Sequence, residues 1–173
     1  MASELAFLPA LEQARLVRER KVSPLELVDA ALGEIERLDP VLNAFVTLRA
    51  EEARAEARAA EALPDGPFRG VPTAIKDLTS TAGIRTTYSC RAFAGHVPDV
   101  DAAVVRRIRA AGFVLLGKTN TPEFGTTPFT ESELNGACRN PWQPARTPGG
   151  SSGGAAAAVA AGLLPIAQDR KSV

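Results

Sequence analysis

The sequence predicts an α/β fold, and three observations carry that prediction. Residues 23–40 join helix-start signals to an apolar repeat at three- and four-residue steps. Two short apolar runs, residues 70–75 and 113–116, bracket a helical stretch, which is the strand–helix–strand order of an α/β unit. A glycine-rich run, GGSSGG at 149–154, leads straight into a helix of small residues.

In chain order, Ser23, Pro24 and Glu26 supply an N-cap serine, a proline at the first helical position and a glutamate that can close a capping box. Leu25, Val28, Ala31, Leu32, Ile35 and Leu38 then give that helix one apolar face, and Asp39-Pro40 is expected to end it. Residues 44–48 are rich in β-branched and aromatic side chains and read as a short strand. Residues 49–63, alanine-rich with mixed charges, read as an exposed helix. Residues 64–67 (PDGP) form a turn, after which residues 70–75 read as a buried strand carrying Lys76 and Asp77 at its end. Asp101 is expected to cap a helix through Ala111 with Val104, Val105 and Ile108 inward; Gly112 stops it and residues 113–116 follow as a second buried strand. Residues 118–148 show no periodicity and read as a functional surface, since a structureless loop of that length is uncommon in a compact domain.

Composition narrows the chemistry. With 173 residues, 45% apolar and 23% charged, the chain reads as one ordinary globular domain. Lysine plus arginine equals aspartate plus glutamate at 20 each, so no basic field exists to hold a phosphate backbone, and nucleic acid is not an expected partner. No apolar run is long enough to span a membrane, and residues 1–10 lack the features of a signal peptide, so a cytoplasmic protein is expected. Cys90 and Cys138 are too few and too isolated for a disulfide framework, and read as reduced structural thiols. His96 is the only histidine, which excludes a two-histidine metal site; no metal or cofactor is expected.

The glycine-rich run admits several readings. A phosphate-binding loop would need the lysine of GxxxxGK[ST], and Ala155 stands after the glycines instead. A tight structural turn stays open, as does a catalytic loop in which glycines let a ligand approach the backbone.

Taken in order, GVPTAIKD (70–77), GKTNTPEFG (117–125), RNPW (139–142) and TPGGSSGGAAAAVAAG (147–162) resemble the amidase signature family, over about residues 69–167. Members hydrolyse amides with a serine, a second serine and a lysine. The resemblance implies a mixed β-sheet flanked by helices and a small-molecule amide substrate. It assigns Lys76 to the catalytic lysine, and Ser151 to the bridging serine that follows a cis peptide bond. A serine hydroxyl is a weak nucleophile unless a base takes its proton. With the sole histidine outside these motifs, that base would be Lys76, desolvated and neutral, accepting a proton relayed through Ser151. Ser152 is expected to serve as a structural hydrogen-bonding group.

The resemblance also implies an organisation: residues 1–63 as a helical N-terminal region, 64–168 as the start of the α/β catalytic core, and 169–173 as a tail that departs from the pattern. In the family the helix after GGSSGG leads through an apolar strand into a glycine-rich loop ending in the nucleophilic serine, with loop N–H groups forming the oxyanion hole. Residues 163–168 begin that strand and charged residues follow, so the fold is expected to be truncated before the nucleophile loop. Ser172 lacks flanking glycines and is not that nucleophile. Strand edges left unpaired would favour association, a homo-oligomer included. Three functions follow: a stand-alone amidase acting on small amides or on cyclic or linear oligoamides; the glutamine-hydrolysing subunit of a tRNA-dependent amidotransferase; or a non-catalytic fragment.

Overall fold

The structure, a computed structural model, describes residues 5–62 and 66–169. Parts of the predicted turn at 64–67, and Ser172, lie outside these residues. Helix α1 spans Ala10–Arg18 and α2 spans Pro24–Leu42. Ser23 caps α2 as its sequence requires: its hydroxyl accepts from the Glu26 N–H, and the Glu26 carboxylate accepts from the Ser23 N–H at 2.8 Å. The helix does not stop at Asp39-Pro40 but continues through Pro40 to Leu42. The Asp39 carboxylate accepts from the N–H groups of Ala44 (2.7 Å) and Phe45 (3.3 Å), and Asn43 takes the left-handed cap conformation, so the exit turn is satisfied beyond the proline. Asp39 therefore organises the turn after the helix rather than breaking it.

Strand β1 (Phe45–Leu48) leads to α3 (Ala50–Ala60), then β2 (Pro72–Lys76), α4 (Ala103–Ala110) and β3 (Val114–Thr119). The alanines of α3 were expected on an exposed helix, yet Ala53, Ala57 and Ala60 are buried, Ala53 and Ala57 in the cluster that α2 also joins; only the charged face is solvated. Asp101 does not cap α4, whose N-cap is Ala102; its carboxylate accepts from the Ala82 N–H at 2.7 Å and from Arg109 Nε at 3.0 Å instead. Val105 is fully buried while Val104 is 39% exposed, a correction to the expected inward face.

The sheet order is β1-β3-β2, with β1 antiparallel and β2 parallel to β3, so the sheet is mixed. One apolar cluster, including Val28, Ile35, Leu116 and Leu164, joins α2 and α3 to the sheet; a smaller one gathers Ile75, Ile84, Val105 and Leu115. Residues 120–148 are not structureless: a 3₁₀ turn at Glu123–Gly125 and a hairpin of β4 (Glu131–Ser132) and β5 (Gly136–Ala137) order them. Helix α5 (Gly153–Ala160) follows the glycine-rich run. The segment after it was expected as a strand. It tracks β2 without forming one, because Pro165 has no N–H and the Ile166 carbonyl accepts from the Thr73 hydroxyl; the Gln168 N–H donates to Ala74 O at 3.0 Å. Among the described residues no helix is long and apolar enough to cross a membrane.

Candidate active site

Strand β2 delivers Lys76 to its C-terminal end, and the glycine-rich run delivers Ser151 and Ser152 to the start of α5. Two glycines permit that approach. A Cβ at Gly154 would lie 2.3 Å from the Asn120 backbone nitrogen, and one at Gly153 would lie 2.2 Å from Thr130 Oγ1. Their N–H groups use the closeness, Gly154 donating to Asn120 O and Gly153 to Thr130 Oγ1, both at 3.1 Å. The run is pinned from its carbonyl side as well, by Thr121 Oγ1 on Ser151 O and Thr130 Oγ1 on Gly149 O, each at 2.8 Å. The Gly150–Ser151 peptide bond is cis.

Lys76 is fully buried, and its Nζ sits 2.8 Å from Ser151 Oγ and 2.7 Å from Ser152 Oγ. The two sequence-predicted site residues thus meet across 75 positions of chain. Ser152, expected as a structural hydrogen-bonding group, touches the lysine, and its hydroxyl donates to the Asp169 carboxylate. The serines are half-buried and line a cleft of about 460 Å³ with Gly149, Ala155 and Asp169. Such an array can pass a proton between a hydroxyl and a dry amine at the edge of an accessible space.

Several supporting residues carried no role in the sequence reading. The Gln168 side-chain carbonyl accepts from the Lys76 N–H at 3.0 Å and so holds the end of β2. Asp77 is fully buried and accepts from Thr87 N–H and Oγ1; burial pushes its carboxyl above the ordinary range, against the opposing pull of Thr87 and of the Lys118 charge. Lys118 is a second fully buried lysine, brought down to about 8 by burial. Both lie inside motifs quoted above, and a charged residue ending a buried strand was the signal available. Tyr88, Ser89 and Phe124 all adopt left-handed backbone conformations, tied together by the Phe124 N–H on Tyr88 O and the Ser89 hydroxyl on Thr121 O. His96 packs against Tyr88 and Phe93. Cys90 and Cys138 are both free, and burial pushes the Cys138 thiol up to about 12. Among the described residues, no group of three or more histidine, cysteine or acidic side chains could hold a metal ion.

Among known proteins, the Amidase family model matches residues 26–168, most of the chain. The chain belongs to the amidase signature family. This family member is 52% identical over 171 residues to the putative amidase AmiB2 of Mycobacterium tuberculosis, covering 95% of the chain and 36% of the relative. It is 47% identical over 158 residues to a glutamyl-tRNA(Gln) amidotransferase subunit of Methylococcus capsulatus, covering 89% of the chain and 33% of the relative. A solved structure of 6-aminohexanoate cyclic dimer hydrolase superposes with a TM-score of 0.87 at 45% identity, over 94% of the chain and 33% of that protein. The α/β fold with a mixed sheet is therefore the amidase signature fold, and the chain spans about a third of the length of the relatives it matches.

Proposed function

We propose that Lys76 is the proton acceptor and Ser151 the relay of an amide hydrolase that cleaves a carboxylic amide C–N bond. The observation that carries the reading is the fully buried Lys76 Nζ lying 2.8 Å from Ser151 Oγ. Burial disfavours an ammonium, so the same contact that a charged lysine would donate can be reversed, with the Ser151 hydroxyl donating to a neutral amine. Ser151 then draws a proton from an attacking serine hydroxyl, the nucleophile that the family pattern places in a glycine-rich loop, and Lys76 holds it until the leaving amine needs it.

For substrate, the reading takes small amides and cyclic or linear oligoamides first, supported by the 45% identity to 6-aminohexanoate cyclic dimer hydrolase. Glutamine is the second reading, supported by the 47% identity to the amidotransferase relative.

A chimera tests the assignment. Residues 1–168 replace the matching part of 6-aminohexanoate cyclic dimer hydrolase, and release of linear product and of ammonia from glutamine are both followed. Lys76→Ala and Ser151→Ala are each expected to lower turnover by about 10³-fold or more. A Lys76→Ala chimera with unchanged turnover would overturn the mechanism. Ammonia release from glutamine exceeding oligoamide cleavage would favour the second substrate.

A further inference from the structure

Ser151 is held through its main chain as well as through its contact with Lys76. Thr121 Oγ1 donates to Ser151 O at 2.8 Å, whereas Thr130 and Asn120 hold the glycines around it, Gly149, Gly153 and Gly154. With that carbonyl fixed, one side-chain torsion remains to place Ser151 Oγ, which stands 2.8 Å from Lys76 Nζ. Thr121 lies just beyond the end of β3, is fully buried, and is braced in turn. Its carbonyl accepts from the Ser89 hydroxyl, and Ser89 Oγ accepts from Asn135 Nδ2 at 2.9 Å. A second tie joins the same two turns, the Phe124 N–H donating to Tyr88 O at 2.9 Å. The turn also reaches the serine hydroxyl, since a Cβ at Gly125 would lie 3.5 Å from Ser151 Oγ. Tyr88, Ser89 and Phe124 take φ values of 54°, 54° and 50°, a left-handed conformation that is uncommon outside glycine and persists where surrounding contacts hold it.

We propose that Thr121 is a positioning residue for Ser151: braced by Ser89, it holds the Ser151 main chain so that Oγ stays within reach of Lys76. The inference rests on the Lys76–Ser151 reading given above. Without the Thr121 hydroxyl, the Ser151 carbonyl loses its donor and the main chain is free to shift toward another partner. Proton transfer needs hydrogen-bond reach, and a displacement of about 1 Å can cost about 10²-fold in rate. Thr121 acts through Ser151, so its loss lowers kcat and spares substrate binding.

The chimera carrying residues 1–168 tests this through kcat and KM measured separately. Thr121→Val, which keeps the shape and removes the hydroxyl, is expected to lower kcat by about 10- to 100-fold while KM moves less than about twofold. Thr121→Ser, which restores the hydroxyl, is expected to recover most of that loss. Where Lys76→Ala abolishes turnover, an unchanged kcat in Thr121→Val, an equal loss in Thr121→Ser, or an effect carried by KM overturns this inference alone. Unchanged turnover in Lys76→Ala overturns the base assignment and the inference with it. If circular dichroism shows that Thr121→Val does not fold, Ser89→Ala decides, because it leaves Thr121 in place and removes its brace. A fall in kcat of about threefold or more at constant KM is then expected, and an unchanged kcat overturns the inference.

Discussion

The two faces of the sheet each bury a lysine, and they dispose of it differently. On one face Lys118 is sealed among threonines, its ammonium saturated by a main-chain carbonyl and two hydroxyls. On the other, Lys76 meets two serine hydroxyls that line an open cleft. Burial alone therefore does not distinguish the proposed base from a framework lysine, since both are fully buried. What differs is whether the partner atoms can themselves exchange protons with something entering from solvent.

The contrast can be broken most directly at the reactive end. In the chimera described above, Lys76→Met should cost at least about 10³-fold in turnover and leave the far-ultraviolet circular dichroism unchanged, whereas a loss of folded signal would place Lys76 with the framework. Next in size is a stability effect confined to Lys118. Its folded-state value of about 8 lies below the ordinary 10.5. The unfolded chain therefore binds the extra proton between those values, so a penalty is fully present below pH 8 and is relieved as pH rises from about 8 to 10.5. The difference corresponds to about 3 kcal/mol. Urea denaturation across that window should show the unaltered chain gaining stability relative to Lys118→Met; parallel curves would remove the penalty. Cys138 opposes the trend above pH 9 in both proteins, its thiol being held up near 12, and so cancels in the comparison.

Smaller effects sharpen the geometry. Gly154→Ala drives a methyl to within 2.3 Å of the Asn120 backbone nitrogen, and should destabilise the Lys76 face by roughly 1–3 kcal/mol as read from the urea midpoint. A neutral result would mean that α5 can back away from β3. Gly33→Ala, with nothing within 4 Å at an exposed position of α2, should instead stabilise by about 0.5–1 kcal/mol in the same assay, the reference against which the close approach at Gly154 is judged.

How far these features were legible in the sequence follows the range of the interaction involved. The capping box at Ser23, the strand ending in Lys76 and the glycine-rich entry to α5 rest on signals spanning a few residues, and each appears in place. The pairing of Lys76 with Ser151 came from the order of motifs, not from local pattern. What stayed hidden depends on partners outside the helix or strand that carries the residue, or on a face too weakly apolar to stand out. Asp39 and Asp101 look like helix punctuation, but their carboxylates are taken by the turn after α2 and by Ala82. The buried face of α3 is made of alanines, whose small apolar contribution does not stand out from a solvated alanine-rich helix. Lys118 reads as the first residue of a loop because the apolar run ends two residues earlier; its burial depends on threonines 32 to 39 positions away.

The latch of Gln168 on the Lys76 N–H joins residues 92 apart, and the lysine meets Ser151 across 75. Ordering such long intervening stretches costs chain entropy before any contact repays it. Lys76 thus depends on contacts made across longer stretches of chain than the threonines, 32 to 39 positions away, that hold Lys118.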